Sequence, residues 1–455
     1  MEKLKRGMID VFFANAFSLL LGLVTGFIMP KMLSVDSYAG IKTYQLYVSY
    51  IGFLHLGFVD GIYLKFGGYE YSDLDKKQLQ KPYVTLILFQ TVVAVCVIFG
   101  GMILKDDALI FFAFSIIPLN MLNFYKNIYQ ATGEFKKYKS ILQWNTIMTF
   151  CMIVFLLFVL KIHNYMFFFI GYTIVNLVVW ILTEIKASIA CWSVKYFDIK
   201  ELVGQIRTGI VLMLGNFSSI LLTSMDRWFI KLLMNTVAFA EYSFAVSMEN
   251  LLSIAITPIT TTLYNFFCNN KEQSRIIAIR RYLTIFSVVI ASAAFPVKFI
   301  IENFLQKYSG SMQVLFLLFA SQILFVPIKG LYVNLYKVEK KQNRYFAGMV
   351  FVLIVGAVLN VLIYTFLNNK EAFAIGTLMA AFFWYFLCCF DFKFLNFPIR
   401  EILYSMIEVV FLCILGQLCP AISGFVFYVV GTIFLTIVFF YKESKALIKS
   451  IKKMR

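Results

Sequence analysis

Apolar runs, each about as long as the ~20-residue helix that crosses a bilayer, recur along the whole chain. They lie at about 9–33, 43–65, 83–104, 108–130, 140–160, 165–186, 207–232, 236–263, 282–303, 312–336, 345–367, 371–392, 401–419 and 423–441. The pattern predicts an all-α integral membrane protein with about 14 transmembrane helices, here called spans 1 to 14. Composition agrees. Hydrophobic residues make up 61% of the 455 positions and charged residues 14%, against roughly 25% charged in soluble domains. The segments between spans are shorter than the ~50 residues of a small domain. Any chemistry is therefore expected within or between helices.

The formal charge of +17 would suggest nucleic acid in a soluble protein, but topology accounts for it better. With an even number of spans both termini share one side. That side receives Lys3, Lys5, Arg6, the clusters around Lys76 and Lys136, Lys271 with Arg275, Arg280 and Arg281, the Lys337–Arg344 group and the C-terminal lysines. The other side receives Lys31, Lys42, Lys105, Lys161, Lys231, Lys298, Lys307 and Lys370. A ratio of roughly four to one places both termini on the cytoplasmic side and leaves no role for nucleic acid. The Met1–Arg6 stretch and the long run after it lack a small-residue cleavage pattern, so this segment is expected to stay attached as span 1. The eight Cys show no zinc-type spacing, and two isolated His (His55 and His163) make no metal or nucleophile set. No metal is expected. Asn216-Phe217-Ser218 fits a glycosylation pattern but lies mid-span, and Gly22 with Gly26 reads as a helix-packing motif.

Two stretches of the chain repeat. Residues 124–138 lie over 331–345 without a gap, pairing Tyr125 with Tyr332, Asn127 with Asn334, Tyr129 with Tyr336 and Tyr138 with Tyr345. Span 1 aligns with span 7, pairing Asn15 with Asn216, Ser18 with Ser219 and Ala39 with Ala240. Six spans separate the copies, so both enter the membrane in the same direction and the repeats are parallel. The organisation expected is an N-terminal six-helix lobe (1–200), a C-terminal six-helix lobe (201–395) and an appended pair with a basic tail (396–455).

An ionisable side chain at mid-bilayer costs about 2.5–3.5 kcal/mol on insertion scales and normally faces a cavity or a partner. In span 7, Asn216, Ser219, Thr223, Asp226 and Arg227 fall on one helical face. Span 1 repeats it in muted form around Asn15. In span 10, Gln322, Lys329, Tyr332 and Tyr336 share a face beside Pro327, whose missing N–H invites a kink. Cations, amides and aromatic faces together suit a phosphorylated sugar. Bland readings stand beside this one. Arg227 and Lys329 are each placed to snorkel to a headgroup, the tyrosines to sit in an interfacial belt, and Asp226 to form a structural pair. Among the intramembrane acids Asp60, Glu184, Glu249 and Asp226, Glu249 is hardest to reconcile with snorkelling and leads for ion coupling, with Asp226 and Asp60 behind it.

These features resemble a Wzx-type polysaccharide flippase of the multidrug/oligosaccharidyl-lipid/polysaccharide exporter superfamily. The resemblance rests on Asn15, on Pro30-Lys-Met-Leu-Ser-Val-Asp-Ser-Tyr-Ala-Gly40, on Leu56-Gly-Phe-Val-Asp-Gly-Ile-Tyr-Leu-Lys-Phe66, on Gln130-Ala-Thr-Gly-Glu-Phe-Lys-Lys-Tyr138 and on Asp226-Arg-Trp-Phe-Ile230. It covers the whole chain in span count and order, with loose motifs. It implies a V-shaped, two-lobe transporter working by alternating access, with spans 1 and 7 along a central cavity. The cargo implied is an undecaprenyl-pyrophosphate-linked oligosaccharide repeat unit, destined for O-antigen, capsule or exopolysaccharide. The partners implied are the lipid bilayer, a polysaccharide polymerase and chain-length machinery; the resemblance implies no cofactor, and coupling to a proton or sodium gradient. Such flippases often carry several cavity cations, whereas here only Arg227 and Lys329 lie clear of the span ends and loops to which the other basic residues are assigned. Three alternatives compete: a lipid II flippase, a multidrug or cation antiporter of the same superfamily, and a membrane-embedded polymerase or ligase, which would need a longer outer loop.

Overall fold

The structure is a computed structural model that describes residues 21–22, 25–67, 69–187, 189, 197–252, 256, 259–260, 263, 266–267, 272–441, 443 and 445. Among them every regular element is a helix. Ten helices are long and apolar enough to cross a membrane, or twelve if Val35–Phe53 with Phe58–Phe66, and Ile199–Ser218 with Thr223–Leu233, each count as one broken span. The predicted spans at 9–33 and 236–263 run partly outside the described residues. The chain is a multi-pass membrane protein.

Two compact units divide it, Met1–Leu221 and Leu222–Arg455. The first holds α1 (Val35–Ser49), α2 (Phe58–Phe66), α3 (Lys76–Leu104), α4 (Asp107–Ala131), α5 (Phe135–Val154) and α6 (Tyr165–Ala187). The boundary falls within α7 (Ile199–Leu233). The second holds α8 (Thr236–Asn250), α9 (Gln273–Ala291), α10 (Ala294–Phe304), α11 (Met312–Pro327), α12 (Val333–Val338), α13 (Gln342–Leu367), α14 (Glu371–Asp391), α15 (Ile399–Leu418) and α16 (Ala421–Phe439). Polar side chains start several of these helices by accepting otherwise unpaired amides. Ser34 accepts from Ser37 N at 3.1 Å, Asp106 from Leu109 N at 3.1 Å and Asn235 from Ala238 N at 2.9 Å.

The sequence repeat reappears as a repeat of packing. In the N-terminal unit α4 lies against α3 and α6, and α5 against α6; in the C-terminal unit α11 lies against α9 and α14, and α13 against α14. The paired residues behave alike. Tyr125 and Tyr332 are both fully buried, and Asn127 and Asn334 each donate to the carbonyl four residues earlier, at 3.0 and 2.9 Å.

In the N-terminal unit α2 and α7 approach through glycines. A Cβ on Gly209 would stand 2.1 Å from the Gly57 carbonyl oxygen and 2.3 Å from the Gly61 nitrogen, so only hydrogen fits. Gly57 also needs a left-handed backbone, with φ at +85°, to start α2. The last two helices pack into the C-terminal unit rather than standing apart, with α15 against α9 and α11 and α16 against α10. Buried Arg280 donates to Glu401 and to the carbonyls of Leu395 and Asn396. Lys298, expected near an outer loop, is buried in α10 and donates at 2.7 Å to both Gly416 O and Cys419 O at the end of α15.

Candidate functional site

Within the C-terminal unit, α7, α8 and α11 bring most of the expected ionisable residues together. Asp226 is buried and accepts from the Tyr242 hydroxyl at 2.5 Å and from the Arg227 backbone N–H at 2.8 Å. The Nε of Arg227 is buried with no hydrogen-bond partner among the described residues. One turn earlier, Thr223 is exposed. Glu249 accepts from Gln322 Nε2 at 2.5 Å and lies within electrostatic reach of Lys329, Asp226 and Arg227. Two acids and two cations therefore share one neighbourhood. A buried charge persists only when it is paired and hydrogen-bonded, and here each acid is served by a Tyr or Gln donor as well as by a cation.

Lys329 sits at the start of a local defect in the helix. Pro327 removes the N–H that would have bonded to Ile323 O, and the Ser287 hydroxyl donates to that carbonyl instead, at 2.9 Å. Directly after the proline, Ile328–Tyr332 forms a π-turn. A π-turn carries an extra residue and rotates the residues after it by roughly 100°. Gln322 and Lys329, seven residues apart as a regular helix would set them, face Glu249, while Tyr332, at the end of the π-turn, does not join them. Tyr332 is buried, its hydroxyl 3.4 Å from Cys389 Sγ and its ring edge-on to Tyr385.

Asn216 lies in the N-terminal unit, where its amide donates to Asp60 Oδ1 at 3.4 Å. His55 Nδ1 is 3.8 Å from the other oxygen of Asp60. Asp60 thus has an amide and an imidazole for company. Asn15 and the Ser219 side chain lie outside the described residues.

Three polar residues escaped the sequence reading. Asn360, on α13, is buried with its Oδ1 unpaired beside a void of about 10 Å³ that Thr377 also lines. That is about the space of one water. The Thr377 hydroxyl in turn meets Tyr242, the donor to Asp226, so a polar thread joins the void to the charged cluster. Glu408, fully buried on α15, accepts from Thr432 at 3.0 Å and leaves its second oxygen unpaired. A lone Asn or Glu in an apolar run is a readable signal for the last of these and for Asn360. Thr377 offered none.

The architecture matches that of solved membrane transporters. It is similar to "Lipid II flippase MurJ, inward closed conformation", with a TM-score of 0.66 and 14% identity over 96% of this chain and 99% of that one. It is similar also to an inward-facing multidrug resistance MATE family transporter of the MOP superfamily, with a TM-score of 0.62 and 11% identity over 83% of this chain and 95% of that one. No family profile and no curated protein sequence matches the chain. At such identities the likeness shows the fold, which in the first match extends over nearly the full length of both chains.

Proposed function

We propose that this chain is a flippase, not an enzyme, that turns undecaprenyl-pyrophosphate-linked oligosaccharide repeat units from the cytoplasmic to the outer leaflet of a bacterial inner membrane, supplying surface polysaccharide. Both termini are cytoplasmic in this reading. The observation that carries it is the gathering of Arg227 and Lys329 within electrostatic reach of Glu249 and Asp226 inside apolar helices, on a fold shared with a lipid II flippase.

In this mechanism Glu249 occupies the cations until a proton or sodium ion neutralises it. The freed guanidinium, whose Nε already lacks an acceptor, and Lys329 then bind pyrophosphate oxygens through charge-assisted hydrogen bonds. Alternating access exposes the loaded site to each leaflet in turn, and the delivered unit passes to a polymerase and its chain-length partners. Arg227→Ala is expected to abolish surface polysaccharide while the protein still inserts. Arg227→Lys is expected to rescue partly, because an ammonium keeps the charge but not the bidentate fork. Glycan display with membrane immunoblotting reads both, and full export by Arg227→Ala removes the residue from the site.

A second reading, transport of lipid II, is favoured by the near-complete coverage of the lipid II flippase structure. Depletion separates the two. Lysis indicates lipid II, and loss of surface polysaccharide with normal growth indicates the repeat unit.

A further inference from the structure

A cavity of about 460 Å³ lies in the N-terminal unit, between the end of α4, the start of α5, the end of α6 and the short turn Tyr71–Asp73. That volume suits a small-molecule ligand or a head group. Its walls include Tyr71, Tyr129, Trp144 and Thr183, and two lysines, Lys137 and Lys186, line it. Three spans end here, so the cavity sits at head-group depth. Trp144 is 44% exposed and Leu182 36%, which gives the wall an apolar side open to acyl chains. Lys137 Nζ stands 3.9 Å from the Tyr71 ring centre and 5.6 Å from that of Tyr129. Its nearest acid is Glu134, 3.7 Å away.

The repeat explains why the cavity exists. The offset that pairs Tyr129 with Tyr336 also pairs Lys137 with Arg344 and Glu184 with Asp391. In the C-terminal unit Arg344 clasps Asp391 with hydrogen bonds of 2.8, 3.0 and 3.1 Å. In the N-terminal unit Glu184 turns away to the Tyr125 hydroxyl and to Ile189 N, which leaves Lys137 on aromatic faces. The cavity-lining Val179, Thr183 and Ala187 correspond to Phe386, Phe390 and Phe394. Those rings pack among Phe392 and Phe397. One copy of the corner carries phenyl rings and an ion pair, with Phe390, Phe394 and Arg344 exposed; the other carries smaller side chains around a cationic hollow.

We infer that this hollow binds the phosphate head group of an anionic membrane lipid, with Lys137 and Lys186 as counter-ions and Tyr71 and Trp144 flanking the glycerol and upper acyl region. Basic pockets between membrane helices have the right charge for such head groups. The site is separate from the charged cluster of the C-terminal unit, and the inference does not rest on the transport reading.

The test uses the purified, delipidated full chain, titrated with phosphatidylglycerol or phosphatidylcholine of matched acyl chains and read by native mass spectrometry. The expected result is one retained phosphatidylglycerol, preferred about tenfold or more. The double variant Lys137→Gln/Lys186→Gln should lose that preference. So should Thr183→Phe, which puts a ring on the cavity wall while leaving the lysines in place; melting temperatures verify that both fold. Undecaprenyl phosphate that competes on equal terms supports a phosphate-headed lipid and adds the carrier lipid to the occupants. Three outcomes overturn the inference: no preference in the unsubstituted protein, an unchanged preference in both variants, or displacement of the lipid by inorganic phosphate at matched concentration.

Discussion

In the N-terminal unit α2 meets α7 backbone to backbone through Gly57, Gly61 and Gly209. In the C-terminal unit, by contrast, α9 holds α15 by setting buried Arg280 on Glu401, and α10 by driving Lys298 into the carbonyls that end α15. The two units share a packing plan but close it by opposite means. A glycine seam tolerates no added atom, and a buried ion pair tolerates no removed partner. The contrast extends to the interior. In the C-terminal unit Asp226, Arg227, Glu249 and Lys329 cluster within spans, while the corresponding unit offers Asp60 with an amide and an imidazole.

Removing one partner should hurt the charged unit most. Arg280→Met leaves Glu401 buried beside Arg281 alone, 3.6 Å away, and is expected to cost about 3–5 kcal/mol, read as a lowered melting temperature of the solubilised protein. Replacing Glu401 as well, by Gln, should recover much of that loss. On the glycine side, Gly209→Ala should cost about 1–3 kcal/mol through overpacking. Gly204→Ala, where a Cβ meets nothing within 4 Å, should leave melting unchanged. Equal effects at the two glycines would break the contrast.

Transport should follow the charges. Glu249→Gln removes the acid shared by Lys329 and Gln322 and is expected to slow flipping in proteoliposomes roughly 10–100-fold, the equivalent of one hydrogen bond to a charged group. Asp60→Asn should have a smaller effect. The reverse ranking would move the working site to the N-terminal unit. The smallest effect lies at the exposed Lys81–Asp198 pair. Lys81 and the amide of Lys200 hold the Asp198 carboxyl below the usual range. A depressed folded-state pKa contributes stability above the unfolded value and loses it as pH falls. Asp198→Asn should therefore lower the melting temperature slightly at neutral pH, and by progressively less as pH falls below the ordinary Asp value of 3.8.

Spans, the parallel repeat and the polar faces were legible because they depend on length, offset and helical period. Asp226, Arg227, Gln322, Glu249 and Lys329 were found by the cost of burying them, and they meet in one unit. Tyr332 was misplaced by the 3.6-residue period: the π-turn after Pro327 changes the helical phase, and nothing local marks an extra residue in a turn. The assignment of Asn216 to a stripe with Arg227 missed its contact with Asp60, a partner 156 positions away. Thr377 matters only through Tyr242 and Asn360, neighbours made by folding. The cavity beside Lys137 was invisible for a similar reason, since its basic residues read as ordinary loop charges until the exchange of Phe for Val, Thr and Ala is seen across the repeat.

Lys298 also bears on how the chain is made. Its amine is synthesised and inserted well before the carbonyls that receive it, which lie 118 and 121 residues further on. Until α15 arrives, the bilayer holds an ammonium whose final acceptors do not yet exist, at an energetic cost that snorkelling and water defects only partly relieve. The last helices thus supply two acceptors that the earlier helices lack. A chain that stops short of α15 leaves that amine with Glu302, 3.6 Å away in its own helix, and without the carbonyls that complete its shell.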